Sequence, residues 1–125
     1  MNRQDLEKRT RTFSLAIIAL VSQMPNNKMA CVLGTQLLKS ATSIGANYRE
    51  AVRAESKADF IHKIAISEKE AGETLYWLEL LDQSGLYKKL EFSILQKECS
   101  QLIRIFSAIG RTTKKNRSSR SLPGI

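Results

Sequence analysis

Leu6, Phe13, Ile17, Leu20 and Met24 fall on one stripe at helical steps, which predicts a first helix over about 5–23. Leu15, Ala16, Ile18, Ala19 and Val21 make its second half apolar nearly all round. A helix with one buried face needs only a stripe, so the surplus calls for cover, most economically from another copy of the chain. Met24-Pro25-Asn26-Asn27 ends the helix and offers Asn26 or Asn27 as a cap for the next. That second helix, about 28–53, carries an apolar stripe of Leu33, Leu37, Ile44, Tyr48 and Ala51. Ser56 with Asp59 resembles a capping box and opens a third helix, about 57–83, on Phe60, Ile64, Ser67, Ala71, Leu75, Leu78 and Leu81. Ser84-Gly85 closes it. Leu95, Cys99, Leu102, Phe106 and Ile109 then mark a fourth helix, about 89–113. Four amphipathic helices on short loops predict one all-α domain over residues 1–113, an antiparallel up-down-up-down four-helix bundle. Residues 114–125 are polar and basic and are expected to be a disordered tail.

A second stripe on the second helix is polar. Gln36, Ser40, Ser43, Asn47 and Glu50 recur at steps of three and four, mostly small and neutral, as for a face that meets another helix. Symmetric pairing about a turn near Glu55 sets Ser40 opposite Glu70, Gln36 opposite Glu73 and Asn47 opposite Lys63. The expected result is a polar seam of Gln36, Lys39, Ser40, Asn47, Glu50, Lys63, Glu70 and Glu73. A partly buried carboxylate must be paired or hydrogen-bonded to stay ionised, so the seam is read as a device that fixes helix register.

Charge changes the picture at the chain ends. The formal net charge is +8, yet six basic residues and no acid lie from Arg104 onward, leaving 14 basic against 12 acidic in residues 1–103. In an up-down bundle the start of the first helix (Arg3, Lys8, Arg9, Arg11) shares a pole with the end of the fourth (Arg111, Lys114, Lys115, Arg117, Arg120). Such a pole favours RNA or DNA, whose phosphate affinity rises steeply with the number of contacts. No aromatic residue interleaves the basic tail, so base-specific reading is not supported. A scaffold that binds a protein partner instead is the alternative reading.

Other chemistry finds little support. The first apolar run is too short for a membrane span, and Asp5 and Glu7 spoil its likeness to a signal peptide. Cys31 and Cys99 stand apart, as for reduced thiols in a cytoplasmic protein. Di-metal bundles use Glu-x-x-His pairs on two helices, but His62 is the only histidine and Asp stands three residues before it. One histidine supplies no Ser/His/Asp set, and no Gly-rich loop follows a strand. The expectation is a non-enzymatic protein with no metal, cofactor or catalytic residues.

The hairpin carries a resemblance. QLLKSATSIGANYREA (Gln36–Ala51), then Ser56, then DFIHKIAISEKEAGETLYWLELL (Asp59–Leu81) resembles the small bundle proteins encoded within intervening sequences of bacterial 23S rRNA genes, the S23 ribosomal protein-like family. Lys39 stands where that pattern usually has Arg, which keeps the charge and loses the bidentate fork. The resemblance implies a left-handed up-down bundle, a homo-oligomer that is commonly a pentamer, and no catalytic residues. A related accessory protein of diversity-generating retroelements is a basic pentameric bundle that binds nucleic acid, an analogy of fold alone.

Overall fold

The computed structural model describes residues 1–87 and 90–116. It contains four helices, α1 (Arg3–Ser22), α2 (Lys28–Val52), α3 (Lys57–Gln83) and α4 (Leu90–Lys115), and among the described residues no strand. α2 packs most extensively against α3, and α3 against α4; α1 leans on α2 and meets α4 along a narrow edge. The order is that of an up-down-up-down four-helix bundle.

Local chemistry sets the boundaries. Asn2 accepts the Asp5 amide and Asp5 returns a bond to the Asn2 amide, so α1 starts two residues before the expected Asp5. Asn27 caps α2 through the Ala30 amide, and Ser56 caps α3 through the Asp59 amide. The reciprocal bond of a capping box forms at α1 and, among the described residues, not at α3. Gly85 follows α3 with φ 69°, a left-handed conformation that glycine takes without a Cβ clash.

α4 continues to Lys115, past the expected end at 113. Thr113 is buried with its hydroxyl on the Ile109 carbonyl, and the Lys57 ammonium donates to the Asn116 carbonyl. Lys114 and Lys115 therefore belong to the helix rather than to a tail. The expected start near Lys89 and the remaining tail, with Arg117 and Arg120, lie outside the described residues.

The core is one cluster. Leu6, Phe13, Ile17 and Leu20 meet Leu37, Ile44 and Tyr48, while Phe60, Ile64, Leu78 and Leu81 meet Phe92, Leu102 and Phe106. Tyr48 and Phe106 cross it with ring centroids 5.8 Å apart. Thr74 is buried where the sequence pattern favours Leu75, which is only partly covered.

Candidate functional site

The α2–α3 contact joins the expected seam region, with a different register and different bonds. Thr74, not Glu70, meets Ser40, with Oγ1 2.9 Å from Ser40 Oγ, and Ser67 donates to the Ile44 carbonyl at 3.0 Å. The partner of Ser40 thus lies four residues, about one helical turn, beyond the one simple symmetry sets, in the direction expected because side chains lean toward their own helix N-terminus. The stripe on α2 also turns inward on its own backbone: Ser40 donates to Leu37, Ser43 to Lys39 and Asn47 to Ser43. Asn47 thus donates to its own helix, and among the described residues no hydrogen bond joins it to Lys63. Gln36 is half-buried, whereas Lys39 and Glu50 are exposed.

Among the described residues no ion pair joins Lys39, Lys63, Glu50, Glu70 and Glu73. Glu70 is half-buried, and burial first and then neighbouring Glu73 raise its carboxyl above the ordinary range, against the pull of Lys69 and Lys39. The seam is therefore a close-packed interface of hydroxyl and carbonyl groups with a carboxylate pair at its margin. Among the described residues, no cluster of three or more His, Cys, Asp and Glu side chains is arranged to hold a metal ion.

The other ends of the helices gather the cations. α1 begins, α2 ends, α3 begins and α4 ends at this pole, and the bond from Lys57 to the Asn116 carbonyl ties two of them together. The turn from α2 to α3 adds Arg49, Arg53 and Lys57, which the sequence reading left out. The signal was present, since a helical hairpin returns its turn to the pole of both chain ends. Lys8, Arg11, Arg49, Arg53, Lys114 and Lys115 are exposed there, and Arg3 is half-buried. Arg3 lies close enough to Tyr48 to favour ionisation of that phenol, but burial dominates and pushes Tyr48 up to about 12.

Not every basic side chain at this pole is available. Arg9 is held across α1 and α4 by a bidentate pair with Glu98, Nε to Oε2 at 2.8 Å and Nη2 to Oε1 at 2.7 Å. That pairing already engages Arg9, one of the cations expected from sequence to meet phosphate. Pairing with Glu98 raises the Arg9 pKa further, which keeps the cation fixed. Arg111 donates to Ser107 Oγ at 2.6 Å on its own helix.

Apolar side chains remain on the surface of every helix. Leu15 and Ile18 on α1 are 59% and 45% exposed, and Ile94 on α4 is 58% exposed. Met29 and Val32 on α2 and Tyr76 on α3 are about half exposed as well. No helix among the described residues is long and apolar enough to cross a membrane.

Comparison with known proteins agrees with this architecture. A solved structure of a protein of unknown function from the S23 ribosomal protein family of Bacteroides thetaiotaomicron is 36% identical to this chain. The match covers 83% of this chain and 96% of that one, with a TM-score of 0.77. No curated protein matches. The family model for the 23S rRNA-intervening sequence protein matches residues 3–108, about the span of all four helices. By that match and that fold, the chain belongs to the 23S rRNA-intervening sequence protein family.

Proposed function

We propose that this protein is a non-catalytic, cytoplasmic homo-oligomer whose basic pole binds the backbone of RNA or DNA. The observation that carries the reading is the convergence of three basic segments, the start of α1, the α2–α3 turn and the end of α4, on one end of the bundle. Assembly about an axis multiplies this pole, and backbone affinity grows with each phosphate neutralised. The exposed apolar residues support assembly. They occur on all four helices, and a ring of copies would cover them, with a pentamer as the form implied by resemblance. Free Cys31 and Cys99, one exposed and one buried on the Ala71 carbonyl, fit a reducing compartment.

Two measurements test this reading. Light scattering at micromolar concentration is expected to give an oligomer, and Leu15→Glu with Ile94→Glu is expected to break it. A wild-type monomer overturns the assembly. Band-shift titration is expected to show RNA or DNA binding that weakens steeply with salt. Absence of binding at low salt leaves the second reading, a protein-interaction scaffold, for which the exposed apolar residues speak.

A further inference from the structure

The cations of the pole differ in what already claims them. Glu98 holds Arg9, Ser107 holds Arg111, and the Asn116 carbonyl takes the Lys57 ammonium. Arg11 and Arg49 make no hydrogen bond or ion pair among the described residues, and both line one groove between α1 and α2. The groove floor is narrow because the helices approach closely: a Cβ added at Gly45 would lie 3.1 Å from Thr10 Oγ1. Its hydroxyls are spent on backbone carbonyls, Thr10 on Leu6 and Glu7, Ser14 on Ala41, Thr42 on Leu38. The donors left to a ligand are the two guanidinium groups. Each presents a planar fork that matches a phosphate better than an ammonium does. Glu7 is the one acid lining the groove, so its charge opposes an anion there.

We propose that the α1–α2 groove is a phosphodiester site in which Arg11 and Arg49 each hold a phosphate of one nucleic-acid strand. The proposal rests on the nucleic-acid reading above and adds where the strand lies. Both arginines are exposed and hold no structural hydrogen bond or ion pair among the described residues, so charge removal is expected to leave the fold intact, which circular dichroism checks. The test is fluorescence anisotropy of the full chain with a labelled single-stranded RNA oligonucleotide and its DNA counterpart across a salt series. Arg11→Gln with Arg49→Gln is expected to weaken binding about tenfold at low salt and flatten the log–log salt slope by about 1.4, two contacts at ~0.7 each. Glu7→Gln is expected to tighten binding.

Wild-type binding with an unchanged slope and affinity in the double arginine variant overturns the groove while the basic pole stands. Failure of the wild type to bind either oligonucleotide overturns both. If inorganic phosphate stabilises the wild type but not the variant against heat while the oligonucleotides fail, the groove is a small-anion site and the strand proposal falls.

Discussion

Where α2 meets α3, the touching residues are small and hydroxylated; where α1 meets α4, a long Arg reaches a long Glu and nearby apolar side chains stay in solvent. In the first contact Ser40, Ala41, Ser67, Ala71 and Thr74 are all buried. Their short side chains let the backbones approach, and Ser67 and Thr74 fix the register by reaching the Ile44 carbonyl and Ser40. The second contact rests on the Arg9–Glu98 pair, with the two side chains still 35% and 30% exposed. Close packing earns its stability from many small van der Waals contacts, none of which tolerates added volume. A long ion pair on an open edge tolerates volume and contributes little by itself. The α2–α3 contact is thus the closely packed one and the α1–α4 edge the open one, while exposed apolar side chains lie on both halves.

The largest test of that contrast is added bulk on each side. Ser67→Leu forces a branched side chain into a fully buried position and removes the bond to Ile44. We expect a loss of about 3 kcal/mol by chemical denaturation. Ala19→Leu adds the same kind of volume on exposed α1 and is expected to shift stability by less than ~0.5 kcal/mol. Equal losses would mean that this face of α1 is packed as tightly as the hairpin.

The hairpin was the most legible part of the sequence, because its apolar and polar stripes share helical steps on both strands of the turn. The helices and most of the core follow from that periodicity alone. What the stripes do not carry is the lean of side chains along the axis, which moved the partner of Ser40 from Glu70 to Thr74. They also say nothing of competition from a residue's own backbone, and Ser43 and Asn47 chose their own helix. Arg9 illustrates a third loss. Its charge read as part of a basic cluster, while its partner Glu98 lies far away in sequence and on another helix. Long-range pairs of single residues leave no periodic trace.

The ion pair gives the next largest effect. A double-mutant cycle of Arg9→Ala and Glu98→Ala, read by urea unfolding, is expected to give a coupling of about 0.5–1 kcal/mol. The bidentate geometry places it toward the upper end for a partly exposed pair. High salt should reduce the coupling. A coupling near zero would leave the edge held by apolar contact alone, and the contrast with the hairpin would then be one of packing density only.

The smallest effect sits at the margin of the hairpin and depends on pH. Burial and Glu73 raise the Glu70 carboxyl in the folded chain, so the folded state binds this proton more tightly than the unfolded state does. Stability from this group is therefore fully present below the unfolded value, near 4.3 for glutamate, and is lost as pH rises through the folded one. Glu70→Gln removes the ionising group while keeping its length. The variant should melt slightly higher than the wild type at pH 7, with the gap closing as pH falls below about 4. A gap that persists unchanged at acid pH would trace the gain to packing rather than charge. A variant that melts lower at pH 7 would mean that Lys69 and Lys39 outweigh burial and Glu73, with Lys39 holding Glu70 as the sequence pattern suggested.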